Sequence, residues 1–134
     1  MASKFGKIKN PKLKKQWLAD LRSGNFQQTT GTLCNPGTKN SKAAYCCLGV
    51  LGRSCQKTEL FDVVFKRTSW QGKQTRELEY KNDEDNQNLP DKLQKEIGIS
   101  DRAVDELVHM NDQHNKNFQE IADWIEKHDL RCGQ

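Results

Sequence analysis

Two adjacent cysteines, Cys46 and Cys47, sit in the most apolar run of the chain, AAYCCLGVLG at 43–52. A thiol becomes a nucleophile when a helix N-terminus or a cation lowers its pKa and a base takes its proton. A strand-to-helix junction near Tyr45 would place one of the pair close to such an N-terminus. The base would have to be His109, His114 or His128, brought in by tertiary folding. The apolar flanks favour the other reading, two inert thiols in the core. A second set is Arg22, Gln28, Thr30 and Thr32. On an alternating strand the last three share a face, and Arg22 at the end of a first helix could converge on it to hold a phosphate or a base edge. The alternative is an arginine that favours the negative end of its own helix, beside a strand with one wet face. Asn111-Asp112 could supply an amide and a carboxylate to a ligand, or make side-chain turns between helices. Trp70 lies in the polar stretch S-W-Q-G, near Lys66, Arg67 and Lys73. It could stack on a base, anchor a partner or fold back onto the domain.

The remaining chemistry is thin. The five cysteines (Cys34, Cys46, Cys47, Cys55 and Cys132) form no C-x-x-C, and the three histidines match no zinc spacing with them. No metal and no cofactor is expected. An odd count with two adjacent cysteines in an apolar run does not read as a secreted disulfide framework. The sequence holds no P-loop, dinucleotide fingerprint or helix-turn-helix signature.

Charge is unevenly placed. Residues 1–24 carry seven Lys/Arg against Asp20, whereas the rest of the chain carries 15 basic and 17 acidic residues. A basic arm over residues 1–10 could meet phosphates of a nucleotide or nucleic acid, or simply be a solvated terminus. It lacks the apolar stretch of a secretory signal, and no run of about 18 apolar residues marks a membrane span. The expected setting is the cytoplasm.

These residues need elements to position them. The length of 134 residues suits one domain, here 11–130, and a hydrophobic content of 34% implies a small core. The spacing of Leu13, Trp17, Leu18 and Leu21 predicts a helix over 11–23, with Pro11 in its first turn and Gly24 as its stop. FQQTTGTLC at 26–34 reads as a strand, followed by an Asn35-Pro36-Gly37 turn. The central run reads as strand-like at 44–46 and then helical through Leu51, with Gly49 letting another backbone come close. FDVVF at 61–65 and RELEY at 76–80 read as strands, with a turn over 69–72. NDEDNQN at 82–88 reads as an exposed loop. Helices are predicted over 91–97, over 101–110 after a Ser100 cap, and from Asn117, with Glu120 in capping-box position. Helix, strands, then helices argue for an α+β fold with a short antiparallel sheet.

Three segments occur together in this order. The first is Trp17-x3-Leu21-Arg22-Ser23-Gly24-x-Phe26-x-Gln28-x2-Gly31-x-Leu33. The second is Tyr45-Cys46-Cys47-Leu48-Gly49-Val50-Leu51. The third is Met110-Asn111-Asp112, followed by Asn117-Phe118-x-Glu120-Ile121-Ala122-Asp123-x-Ile125-Glu126. The combination resembles a family of small proteins encoded by tailed phages. About half the chain takes part; residues 52–88 do not. Two departures stand out: Gly52 follows the central run where the family often has Cys, and Asn117 replaces the usual Ser. The resemblance implies a phage origin, a role in managing the host and a place in the host cytoplasm, and lends no biochemical activity.

The functional expectation is a non-catalytic accessory protein that sequesters a small phosphorylated ligand, such as a host-defence nucleotide signal. Its ligand-binding residues would be Arg22, Gln28, Thr30, Trp70, Asn111 and Asp112. By analogy with other capture proteins, a homo-oligomer is one assembly to expect. The alternative is a binder of host protein or nucleic acid through the basic arm. A thiol-dependent enzyme built on Cys46 or Cys47 is the third reading.

Overall fold

A computed structural model of the protein describes residues 8–37 and 42–128, apart from the side chain of Trp70. Helix α1 spans Pro11–Arg22 and starts where its sequence says it should. The Asn10 side chain accepts from the Lys12 N–H at 2.9 Å, and Pro11 takes the first position. Its inward face buries Leu13, Trp17 and Leu21 together with Asp20. Residues 8–10, assigned to the arm by sequence, are part of the domain: Ile8 is fully buried, and the Lys9 N–H donates to the Ile97 carbonyl at 2.8 Å. The rest of the arm, residues 1–7, lies outside the described residues.

The segment expected as one strand over 26–34 is two short ones, β1 (Gln27–Gln28) and β2 (Cys34–Asn35). Between them the chain leaves the sheet as a loop. Strand β3 (Ala44–Tyr45) lies between these two, parallel to β1 and antiparallel to β2. The sheet is therefore mixed rather than purely antiparallel. Helix α2 (Cys47–Thr58) runs seven residues past the expected Leu51. Ser54, Cys55 and Thr58 point inward, and the Ser54 and Thr58 hydroxyls donate to the Val50 and Ser54 carbonyls one turn back, so polar residues continue a buried helix.

Strands β4 (Val64–Trp70) and β5 (Lys73–Tyr80) form the long hairpin of the sheet. Gln71 and Gly72 join them with φ of 50° and 77°. This left-handed pair matches the twist of a two-residue hairpin, which favours glycine there. The turn is tighter than the sequence suggested, so both strands reach further, and Trp70 closes β4 opposite Lys73. The acidic segment expected as a loop contains β6 (Asp83–Asp85), paired with β5 across a second two-residue turn at Lys81-Asn82. The strand order is β1-β3-β2-β5-β4, with β6 on β5.

Three helices close the domain: α3 (Asp91–Ile97), α4 (Asp101–Asp112) and α5 (Phe118–Lys127). Ser100 caps α4 by accepting from the Ala103 N–H, and Asn117 and Glu120 make a full capping box on α5. Helix α2 lies at the centre. Gly49 and Gly52 bring it against Leu33, just before β2, and against Phe65 and Leu78 of the sheet, while α1 and α4 pack elsewhere on it. The Trp17 indole N–H donates to the Cys47 carbonyl at 3.1 Å and fixes α1 on α2. The result is an α+β domain.

Candidate functional site

The loop over residues 29–32 is built by what it is tied to. The Thr29 N–H continues the β1–β3 pairing by donating to the Tyr45 carbonyl at 2.8 Å. The Thr29 carbonyl then turns to Asn111 and accepts from its Nδ2 at 2.8 Å. The Gly31 N–H donates to Asp112 Oδ2 at 3.2 Å. The Thr32 hydroxyl lies 2.6 Å from that of Thr75 and donates to the Asn86 carbonyl at 2.8 Å. Asn111 and Asp112 are the last two residues of α4, so the helix end serves as the clamp of the loop.

Asn111 is 2% exposed. Its Oδ1 accepts from Gln28 Nε2 at 2.8 Å and from the Cys47 N–H at 3.3 Å, and its Nδ2 donates to Thr29 and to Asp112 Oδ1. A side-chain amide offers two donors and two acceptor positions, and all four are used. Gln28 Nε2 also donates to the Lys116 carbonyl at 2.7 Å. The structure thus brings together Gln28, Thr30, Asn111 and Asp112, four of the six residues expected to bind ligand. Three of them hold the loop; Thr30 is exposed, with no side-chain hydrogen bond to the described protein.

Arg22 is not part of this group. It donates to Asp123 at 2.8 Å and pairs with Glu126, both on α5, and these bonds raise its pKa. The expected convergence on the strand face therefore fails: two carboxylates already meet the guanidinium and tie α1 to α5. Trp70 is placed only by its backbone; the expectation for its side chain lies outside the described residues.

Among the described residues, three clefts border the loop. The first, about 450 Å³, is walled by Thr30, Thr32, Asn35, Gln74, Gln87 and Lys73, among others. Its lining holds one cation and no carboxylate. The second, about 430 Å³, shares Gly31 and Gln87 with the first and carries Asp85 and Asp112. The third, about 250 Å³, lies between Gln28, Thr30 and the Asn115–Asn117 turn. Sequence reading missed Asn35, Lys73, Gln74 and Gln87. The available signal was the amide-rich segment after β6 and the lysine directly after the Gln71-Gly72 turn.

Cys46 caps α2 and Cys47 begins it, so the helix N-terminus is where the thiol reading wanted it. Burial wins nonetheless. The backbone N–H groups of Leu48 and Gly49 favour the Cys46 thiolate, yet desolvation pushes its pKa up to about 12. Burial pushes the Cys47 thiol up as well, and this thiol faces the Leu107 carbonyl at 3.7 Å. His109 and His114 face each other at 6.1 Å, and His128 stacks on Trp124 at 4.7 Å. This environment stores neutral thiols and does not activate one.

A buried carboxylate on α1 also escaped the sequence reading. Asp20 accepts from the Ser54 hydroxyl and Lys57 Nζ, each at 2.7 Å, and from Gln16 Nε2 at 3.0 Å. Its signal was a lone acid on the apolar face of α1, three residues after Trp17. Among the described residues no group of His, Cys, Asp or Glu is arranged to hold a metal, and no helix is long and apolar enough to cross a membrane.

No curated protein and no solved structure matches the chain. A family model does match, over residues 9–129, which takes in α1, the whole sheet, the 29–32 loop and the clamp at the end of α4. The chain belongs to this family, a domain of unknown function (DUF8296).

Proposed function

We propose that the protein is a phage-encoded accessory protein that binds, without turning over, a small phosphorylated ligand such as a host-defence nucleotide signal. The observation that carries this reading is the first cleft beside the 29–32 loop. Its size falls in the ordinary range for small-molecule sites. Lys73 would meet a phosphate as a point charge, and the Thr30, Thr32, Asn35 and Gln87 side chains would orient the rest by hydrogen bonds. The neighbouring cleft, with Asp85 and Asp112, suits hydroxyl or amino donors of the same ligand. The fixed Asn111 clamp supports capture, because a pre-formed loop loses little conformational freedom on binding. The resemblance to small tailed-phage proteins supports the origin and a place of action in the host cytoplasm.

Native mass spectrometry of the protein purified from infected or defence-activated cells tests the reading. The expected result is a bound species of nucleotide mass that leaves on denaturation and is depleted in Lys73→Gln. A bare protein from both preparations would overturn it and direct attention to host-protein partners.

A further inference from the structure

The β4–β5 hairpin carries an unbalanced set of arginines on one side. Arg67 and Arg76 are directly opposite each other across the two strands. Such pairs hold their β-carbons about 5 Å apart. Arg76 is opposite Cys34 on β2, and Cys34 is opposite Tyr45 on β3. One row thus crosses the sheet, on the face that also carries Phe65 and Leu78. Arg53 reaches over this row from α2. Its guanidinium carbon lies 4.4 Å from the Phe65 ring centre and 5.5 Å from that of Tyr45. Burial raises the Cys34 pKa, while Arg76 and Arg53 both pull it back down, as expected if both charges lie near that sulfur.

Like charges placed directly opposite cost stability, and among the described residues no ion pair relieves the cost. Glu77, Glu79 and Glu84 project from the other face, where Lys66 takes Glu79 at 2.6 Å. Asp85 accepts from the Gln87 and Asn88 N–H groups. Arg53 donates to the Tyr45 hydroxyl at 3.0 Å and to Gln56 Oε1 at 2.7 Å, both neutral. Among the described residues, none of the three arginines has a carboxylate within ion-pair distance. Arg67 is exposed, and Arg53 and Arg76 are half-buried.

The geometry points to a phosphate-binding site formed by Arg53, Arg67 and Arg76, separate from the cleft beside Thr30. Lys73 and Thr75, which line that cleft, alternate with Gln74 and Arg76 along β5 and project from the opposite face. Phosphate fits better than carboxylate. A single guanidinium fork satisfies a carboxylate, whereas the tetrahedral oxygens of a phosphate can be met by several forks from different directions. The group could come from a free phosphorylated compound or from the backbone of a nucleic acid.

Thermal unfolding with inorganic pyrophosphate, against sodium chloride at matched ionic strength, tests the site. Wild type is expected to gain Tm with pyrophosphate beyond the salt control. Arg67→Gln, at an exposed position, should keep or raise the Tm in chloride because the repulsion is removed, and should lose the pyrophosphate response. Arg76→Gln should lose it too, and the same losses are expected in a Lys73→Gln background, which removes the cation of the cleft beside Thr30. A pyrophosphate response in Arg67→Gln equal to that of wild type overturns the site, as does a wild type that responds no more than to salt. An equal response to an aspartate-rich peptide overturns the phosphate assignment. Fluorescence anisotropy with a short single-stranded oligonucleotide then separates the sources. Binding that pyrophosphate competes away and Arg67→Gln abolishes assigns the site to a nucleic-acid backbone. A pyrophosphate response without oligonucleotide binding assigns it to a free phosphorylated compound.

Discussion

Gly49→Ala should be among the most damaging small substitutions in the domain, although alanine is the better helix former. Gly49 sits in the first turn of α2, where the helix presses on the backbone of Leu33. A β-carbon there would overlap the Leu33 carbonyl oxygen and stand 2.9 Å from its carbonyl carbon. Backbone cannot swing aside as a side chain can, so the overpacking cost belongs near the upper end of its range, about 3 kcal/mol. The same carbonyl accepts from the Cys46 N–H at 3.2 Å, and pushing it away forfeits about 1 kcal/mol more. Helix propensity returns about 1 kcal/mol. The net loss is about 3 kcal/mol, on the order of 10 °C in Tm for a domain of this size. Gly52→Ala provides the comparison. Its β-carbon would meet the Phe65 ring at 2.9 Å and a Leu78 methyl at 3.1 Å, both side-chain atoms that can shift. That cost should be smaller, about 1 kcal/mol. Urea denaturation of both variants measures the two losses. A Gly49→Ala protein as stable as wild type, or a Gly52→Ala protein that is the worse of the two, would refute the close approach of α2 to the Leu33 backbone.

Three further outcomes are expected. Asn111→Asp puts a carboxylate where Nδ2 now donates to the Thr29 carbonyl and Asp112, so burial and like charge raise its folded pKa. The variant should be close to wild type below about pH 4, where the unfolded chain is protonated, and should lose about 3 kcal/mol by neutral pH; equal losses in urea melts at both pH values would sink the clamp. Arg22→Ala removes only partly exposed ion pairs to α5. It should cost at most about 1 kcal/mol and leave ligand binding unchanged in calorimetry, whereas weakened binding would return Arg22 to the site. Cys46 and Cys55 have thiols pushed up to about 12 by burial, above the unfolded value. Their stabilising effect is complete below the unfolded thiol pKa. Stability should therefore fall as pH rises from about 9 towards 12, by about 1.4 kcal/mol per pH unit for each thiol. Iodoacetamide that labels both cysteines as fast in native as in unfolded protein would contradict this.

The helices were largely legible because their start signals are local. Asn10-Pro11, Ser100 and Asn117 with Glu120 act within four residues, and each does so in the structure. The strands were less so. A Thr-rich stretch has the composition of a strand, yet the Thr29–Thr32 stretch is pulled out of the sheet by Asn111 and Asp112, more than 80 residues away. The reverse happened at 83–85, where three acidic residues pair because a two-residue turn presents them to β5. For the candidate site, residue types pointed to Gln28, Asn111 and Asp112 as important, but not to their use on one another. Arg22 was misplaced for a related reason: its partners lie 101 and 104 residues further on, where no local pattern could announce them.

The Asn111 clamp also bears on how the chain comes off the ribosome. Synthesis runs from the N-terminus, and domains fold as units when enough chain has emerged. β1 and β3 are only two residues each, too short to persist as a pair alone. Their anchors, the Asn111 side chain and the Lys116 carbonyl, are made 83 and 88 residues after Gln28. The first strands must therefore wait until most of the domain has been translated. A nascent chain stalled before residue 111 would expose the thiol-bearing apolar run to the cell, and emergence of the end of α4, rather than of the sheet, would set the moment of folding.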